Sequence, residues 1–259
     1  MNSTTTLEPP QRDMVGKALQ LLTVVGRHAD GASLSQLARE AGFPLSTTHR
    51  LLASLARDDF VELDTTAKRY RLGLRLFQLG ARVSASLGFG GVALPVLEHL
   101  SEVTTEASLL SVRDGHHQLY VHHVEARHQI GVKGDPGGLG PLHCTSIGKV
   151  LIAFADPSTR EKLLSDLPLE RYTDRTVTDR DRLRAEIAVV RGKGFAITDQ
   201  EHEEGIRAIA VPVFGPSGTV VAAVAIAAPA FRVSLKGMGE FLAPLTAAAE
   251  RLAVLLPQR

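Results

Sequence analysis

The chain has 259 residues, of which 44% are hydrophobic and 22% are charged, a composition typical of a globular protein large enough for two domains with separate cores. Its single cysteine excludes an internal disulfide framework. The sequence contains no run of about 18 uncharged apolar residues, the length that a membrane span needs. The polar residues 1–11 also lack the apolar core of a signal peptide, so we expect a cytosolic location.

The charge is unevenly divided along the chain, although the formal net charge is only +1. Residues 1–87 carry 11 Lys and Arg against 8 Asp and Glu, a net charge of +3, whereas the rest carries 18 against 20, a net charge of −2. A positively charged N-terminal region followed by a slightly negative remainder is typical of a DNA-binding domain joined to a sensor domain. The residue pattern, more than this asymmetry, supports that interpretation.

Residues 13–72, after the tail 1–12 that we expect to be disordered, have the element order of a winged helix-turn-helix. Ser33 and Gln36 have the spacing of a capping box, and Gly42 stands where a left-handed helix stop belongs. Apolar spacing and turn residues predict the elements. These are helices over 13–26, 33–41 and 45–58, and a β-hairpin of 60–63 and 69–72 around the polar turn 64–68.

The opening turn of the third helix carries short hydrogen-bonding side chains followed by a cation. On a recognition helix these side chains project into a major groove about 12 Å wide and meet base edges and phosphates; helix capping is the alternative for the hydroxyls. The hairpin turn carries two cations, Lys68 and Arg69. They either contact DNA, at the phosphate backbone or in the minor groove, or they are solvated surface residues. The predicted DNA contacts are Ser33, Gln36, Pro44, Ser46, Thr47, Thr48, His49, Arg50, Lys68 and Arg69.

A linker helix and a sensor domain follow. Residues 72–86 carry an apolar stripe of Leu72, Leu76, Leu79 and Val83, which either pairs with a second copy or packs on its own domain. The glycines within 87–91 mark a boundary, so we assign 73–90 to the linker and 91–259 to the second domain.

The second domain is predicted to be α+β, a sheet flanked by helices, which suits ligand sensing. Its predicted helices span 92–105, 147–155, 158–166, 179–193 and 238–256, and its predicted strands span 107–113, 118–125, 129–133, 195–199, 206–214 and 220–228.

Three segments resemble the IclR-type bacterial transcriptional regulators, named after the isocitrate-lyase regulator. They are Lys17–Leu19 with Ser46–Leu52, the loop Pro141-Leu142-His143-Cys144-Thr145-Ser146-Ile147-Gly148-Lys149, and Gly194–Glu201 with Gly205–Pro212. The resemblance extends from about Val15 to Leu255. It implies a repressor or activator with a GAF/PAS-like C-terminal domain, which dimerises through its DNA-binding half and commonly forms tetramers.

The resemblance also implies an effector pocket walled by the loop at 143–147, the region 198–208 and the last strand. Where glyoxylate- and pyruvate-sensing members carry an acidic residue, a cysteine and two serines, this chain has Thr198, Ala208, Ala225 and Ala227. Unpaired polar ligand atoms cost about 1–3 kcal/mol each, so these substitutions favour an aromatic or otherwise apolar carboxylic acid, with its carboxylate at the helix start near 145–148. The predicted effector contacts are Ile130, His143, Cys144, Thr145, Ser146, Ile147, Thr198, Asp199, Ile206, Ala208, Ala225 and Ala227.

Other candidate chemistry is less well supported. Adjacent strand residues point to opposite faces, so each of the pairs His116-His117 and His122-His123 can supply at most one ligand to one face. We therefore interpret these four residues and the nearby His128 as surface histidines and not as a metal site. As an alternative, His123 or His128 could line the pocket. A Cys144–His143 nucleophile lacks an evident orienting residue. Glu201, Glu203 and Glu204 are interpreted as a solvated loop. The glycines of 134–140 precede no phosphate-loop lysine signature.

We therefore predict a DNA-binding regulator with an organic-acid effector, no catalytic residue, no cofactor and no metal. Three alternatives remain open: a regulator of the same type that senses a small aliphatic acid, a ligand-processing enzyme with a DNA-binding arm, and a DNA-binding protein whose second domain serves assembly only.

Overall fold

The computed structural model describes residues 13–86, 89–132 and 134–256. They form two compact units, which divide between Val83 and Ser84. The predicted disordered tail 1–12, and residues 87–88 of the predicted domain boundary, lie outside the described residues.

The first unit is a winged helix-turn-helix, as the sequence predicts. Its elements are α1 (Met14–Gly26), α2 (Leu34–Ala41), α3 (Leu45–Arg57), the antiparallel hairpin β1 (Val61–Asp64) and β2 (Arg69–Leu72), and most of α4 (Leu74–Ser86). Its core includes the fully buried Leu21, Leu37 and Leu52, one from each of the first three helices.

Local capping explains where α2 begins and ends. The Ser33 hydroxyl accepts a hydrogen bond from the Gln36 amide, and Gly42 adopts a left-handed φ of 70°. The predicted capping box is only half formed, because the Gln36 side chain donates to Glu40 instead of turning back to Ser33.

The second unit is built on one six-stranded antiparallel sheet with the strand order β5-β4-β3-β8-β7-β6. Its strands are β3 (Ala107–Asp114), β4 (His117–Val124), β5 (Leu139–Pro141), β6 (Ala196–Asp199), β7 (Ile206–Phe214) and β8 (Val220–Pro229). Its helices are α5 (Leu94–Thr104), after a π-turn at Phe89–Ala93, α6 (Ser146–Ala153), α7 (Pro157–Asp166), α8 (Arg180–Lys193) and α9 (Leu242–Leu255), after a 3-10 turn at Gly237–Phe241.

Helices cover both faces of this sheet, so each central strand contributes side chains to two hydrophobic cores, one on each face. On β3, Leu110 packs with α5 and α9, whereas the preceding Leu109 packs with α6, α7 and α8. Successive strand residues point to opposite faces. This arrangement explains why β8 is apolar along nearly its whole length rather than alternating.

The strand predicted over 129–133 is wrong for 129–132, which form no strand. The outer edge of β4 is instead paired with β5, a short strand that the sequence did not reveal. The segment after β4 is held by a side chain: the ring of His123 contacts the Val132 carbonyl and accepts a hydrogen bond from the Gly134 amide.

Within the ranges the structure describes, no helix has the length and apolarity to cross a membrane.

Candidate functional site

The opening turns of α3 present a polar, basic face to solvent. Ser46, His49 and Arg50 are exposed and Thr47 is half-buried. The helical repeat places positions 46, 49 and 50 on the same side. The helix contains no acidic residue, so nothing on it repels phosphate.

The structure corrects the prediction for Thr48. Its side chain is fully buried, and its hydroxyl donates to the Pro44 carbonyl at 3.1 Å. It lies on the same side as the core residues Leu51 and Leu52. Thr48 therefore stabilises the start of α3 and cannot contact a base edge, a role that the helical spacing from Leu51 and Leu52 could have revealed.

The remaining predicted DNA contacts are accessible to different degrees. Ser33 and Gln36 are half-buried and engaged in the α2 contacts described above, whereas Pro44, the N-terminal neighbour of α3, is exposed. In the hairpin turn, Lys68 and Arg69 are exposed. The Arg69 guanidinium also donates to the Gly31 carbonyl at 2.9 Å, which ties the wing to the turn before α2.

One basic residue of this face was not predicted. Arg57 is exposed and lies two turns beyond Arg50 on α3. The spacing of seven residues between the two arginines was the available signal.

The second unit contains a cavity of about 210 Å³ between the sheet and the start of α6. Its floor crosses the sheet: Thr198, Ala208 and Ala227 are register neighbours on β6, β7 and β8, and Leu109 pairs with Ala225 on the next row. The middle of this floor is formed by small and apolar side chains. It leaves room for a flat apolar body.

The start of α6 forms another wall. The Thr145 hydroxyl accepts from the Gly148 amide and lies 3.1 Å from Gln118 Oε1 on β4. The amides of Ser146 and Ile147, both in the lining, have no acceptor among the described residues. Free N–H groups at a helix start favour an anion.

Most predicted effector contacts meet in this cavity. The lining includes Cys144, Thr145, Ser146, Ile147, Thr198, Ile206, Ala208, Ala225 and Ala227.

Three predicted contacts lie outside the lining. Ile130 is 66% exposed. The buried ring of His143 turns away to contact the Glu170 carbonyl at 2.9 Å, and Asp199 is ion-paired with Arg175 and Arg207.

An ion-pair network that the sequence analysis missed supports one wall. Lys149, whose side chain is 4% exposed, places Nζ 2.7 Å from Glu186 and 2.7 and 2.8 Å from the two carboxylate oxygens of Glu201. Burial raises the pKa of Glu201, and the Lys149 ammonium opposes that rise. The prediction of a solvated loop is therefore wrong for Glu201, although Glu203 and Glu204 are exposed.

The loop that carries Glu201 is fixed from several sides. The hydroxyls of Thr173 and Thr176 donate to the carbonyls of Gln200 and Glu201 at 2.7 and 2.6 Å. The rings of Tyr172 and His202 lie edge to face at 4.9 Å. Sequence order separates these residues by about 25 positions or more, so their convergence was not visible in the sequence. The other lining residues that we did not predict are Leu109, Tyr120, Val132, Gly134, Asp135, His202 and Glu203.

The alternatives for chemistry gain no support from the geometry. Burial raises the pKa of the Cys144 thiol to about 12, so the nucleophilic thiolate is scarce at neutral pH. In the described part of the chain, no three His, Cys, Asp or Glu side chains converge as a metal site would require. His123 contacts the backbones of Val132 and Gly134, which line the cavity, and does not line the cavity itself.

Two family models match the chain. The model described as the IclR helix-turn-helix domain matches residues 14–65, and the model described as the bacterial transcriptional regulator IclR C-terminal domain matches residues 82–254. Both families consist of transcriptional regulators rather than enzymes.

Individual relatives agree with these matches. The chain is 31% identical to the HTH-type transcriptional regulator BhcR of Paracoccus denitrificans, over 84% of this chain and 78% of the relative. It is 30% identical to the HTH-type transcriptional regulator KdgR of Escherichia coli, over 95% and 93% of the two chains. A solved IclR homologue from Microbacterium hydrocarbonoxydans, complexed with 4-hydroxybenzoate, aligns with a TM-score of 0.82 at 27% identity and covers 94% of this chain and 98% of its own.

Proposed function

The chain belongs to the IclR family of DNA-binding transcriptional regulators, and on this basis we propose that its operator binding is modulated by an aromatic or otherwise apolar carboxylic acid. The effector occupies the cavity beneath α6. The regulator controls a catabolic gene cluster for such acids and acts in the cytoplasm, where its operator lies.

The alanine-rich floor is the observation that carries this proposal. Ala208, Ala225 and Ala227 offer no polar partner to a ligand, so a small and highly polar ligand would leave hydrogen-bonding atoms unpaired. The cavity volume is about 210 Å³, and a cavity of about 150 Å³ lined by apolar side chains is already large enough to bind benzene. This space suits one ring with one or two substituents.

The start of α6 supplies the site for the carboxylate. The unpaired amides of Ser146 and Ile147 and the positive end of the helix dipole both favour a negative charge. Support also comes from the structural neighbour that binds 4-hydroxybenzoate, which is an aromatic carboxylic acid.

A small aliphatic acid such as glyoxylate is the alternative effector. It would fill the cavity poorly and meet alanines where an acid of that kind needs donors. Thr198 alone offers a polar side chain among the four substituted floor positions.

Isothermal titration calorimetry of the full chain with benzoate and with glyoxylate tests the proposal. We expect benzoate to bind at least about tenfold more tightly, and to raise the melting temperature because it binds only the folded state. Tighter binding of glyoxylate would overturn the proposed effector class. If neither acid binds, the assignment of this cavity to an acid effector fails.

We also propose a dimer assembled through the DNA-binding half, and a tetramer as a dimer of dimers. The exposed apolar residues of α4 support the dimer, since Leu74 and Phe77 are 77% and 74% exposed and Val83 is 56% exposed.

A further inference from the structure

The second unit has an open groove at one edge of its sheet, separate from the cavity beneath α6. The groove has a volume of about 420 Å³, and its lining shares no residue with that of the cavity. It exists because β6 is shorter than β7. Pairing with β6 ends at Ala210, so residues 211–214 of β7 have no strand beside them on that side among the described residues. The groove therefore lies over an unpaired edge of the sheet.

The walls of this groove are largely aromatic and apolar. Phe154 after α6, Phe195 before β6 and Phe214 at the end of β7 all line it, and α9 forms the facing wall. The rings of Phe154 and Phe214 lie edge to face at 5.4 Å. On α9, Ala253 lines the groove and the next residue, Val254, is 83% exposed. Apolar side chains grouped in this way at a surface mark an association site.

The unpaired edge of β7 is unsuited to an added strand. The Gln200 amide donates to the Ile206 carbonyl across the β6 side of β7. Backbone groups of every second residue in a strand point to the same side, so position 212 also points to this edge. Its residue is Pro212, which has no N–H to donate to a further strand. The groove therefore fits the side chains of a helix better than an extended peptide.

Two side chains of opposite charge line the groove, and neither is neutralised within the described part of the chain. Lys193 at the end of α8 and Glu250 on α9 are exposed, and no ion pair of either is found among the described residues. They are also the only charged residues in the described lining. In a twofold contact between identical surfaces, residue i meets residue j and residue j meets residue i. Two copies related in this way pair each Lys193 with the Glu250 of the other copy.

We infer that this groove is an interface between two copies of the chain, in which α9 of each copy covers the sheet edge of the other. Val254 packs among the phenylalanines of the opposite copy, while Lys193 and Glu250 pair across the contact. Val254 and Glu250 are about one helical turn apart on α9, so both reach the same surface of the partner. The inference rests on the proposed tetramer and assigns to the second unit the contact that joins two α4 dimers.

Sedimentation velocity of the full chain over a concentration series tests the apolar part of this contact. The parent chain should form tetramers. Val254→Gln should raise the tetramer-to-dimer dissociation constant by at least about tenfold, because the twofold contact loses the same apolar side chain twice. The matched control is Val189→Gln on α8, which changes a side chain that is also more than half exposed and should leave the tetramer unchanged.

Charge reversal tests the pairing of Lys193 with Glu250 in the same assay. Glu250→Lys and Lys193→Glu should each raise the dissociation constant by at least about tenfold, since like charges then face each other at two symmetric positions. The chain that carries both changes should return to within about threefold of the parent. The control is Glu98→Lys, which reverses an exposed charge on α5 and should stay within about twofold of the parent.

The outcomes separate this interface from the proposed tetramer. All the changed side chains are exposed, so the variants are expected to fold, and circular dichroism checks that they do. If the parent is a tetramer that Val254→Gln and the single charge reversals leave intact, the interface is overturned while the tetramer stands. If the parent forms nothing larger than a dimer, and the variants leave that dimer intact, the tetramer and this interface both fail.

Discussion

Gly148 lies where α6 passes close to the backbone of the preceding chain. A Cβ atom at this position would overlap the carbonyl oxygen and Cα of Leu142. Leu142 is itself fully buried, so neither segment can move aside easily. The lack of a side chain at Gly148 is what brings the first turn of α6, with its free amides, down onto the cavity.

We predict that Gly148→Ala destabilises the protein by at least about 2 kcal/mol, because the added methyl overpacks a rigid backbone contact. It should also weaken acid binding by displacing the α6 amides. The matched control is Gly192→Ala in α8, where an added Cβ meets open space, so that it stabilises the chain by about 0.5–1 kcal/mol. Urea unfolding of both variants measures the difference, and equal stabilities would contradict the packing argument.

Among the elements, α3 separates its functions by face. Leu51, Leu52 and Thr48 lie in the core, whereas the opposite face carries His49 and Arg50 in solvent. A helix that buries one stripe leaves the other free to enter a groove. The faces therefore predict different consequences for substitutions one residue apart.

We predict that changing Thr47, His49 and Arg50 together to alanine abolishes operator selectivity, with an affinity loss of at least about 100-fold, because base-edge and phosphate contacts are removed. Thr48→Val, which keeps the buried shape of that side chain, should bind the operator with nearly parental affinity. Fluorescence anisotropy with operator and scrambled duplexes measures both. Undiminished selectivity of the triple variant would contradict the assignment of α3 as the recognition helix.

At the scale of the whole molecule, the proposed dimer is assigned to α4, which carries large apolar side chains that its own unit does not cover. Leu74 and Phe77 are the most exposed of them, although the stripe predicted from the sequence ran through Leu72, Leu76, Leu79 and Val83. An exposed apolar helix of this kind marks an association surface. This exposure supports the proposed dimer and identifies which residues to change.

We predict that Leu74→Gln combined with Phe77→Gln raises the dimer dissociation constant by at least about 100-fold, since each buried apolar side chain contributes about 1.5–3 kcal/mol. Sedimentation velocity over a concentration series measures this change. Phe231→Gln is the control, because that side chain is 75% exposed on the second unit and should leave the dimer intact. A parental dimer in the double variant would exclude this surface.

Local signals in the amino-acid sequence were sufficient for most of the elements and for the family. Periodicity identified α1 to α3 and the hairpin because apolar spacing, caps and glycine stops act within a few residues, as at Ser33 and Gly42. The resemblance of Pro141–Lys149 to the family's motif implied the position of the cavity, and the alanines at the matching positions 208, 225 and 227 then indicated its apolar character.

Which side chains meet was set by tertiary packing. The fold turns His143 out of the cavity and joins Lys149 to Glu201 across 52 positions of the chain. Such contacts depend on how helices pack on a sheet, so they cannot be predicted from the residues that neighbour each partner in the sequence. A charged pair can remain in a low-dielectric interior only where packing supplies each partner, so the properties of Glu201 follow from the fold and not from its neighbours in the sequence.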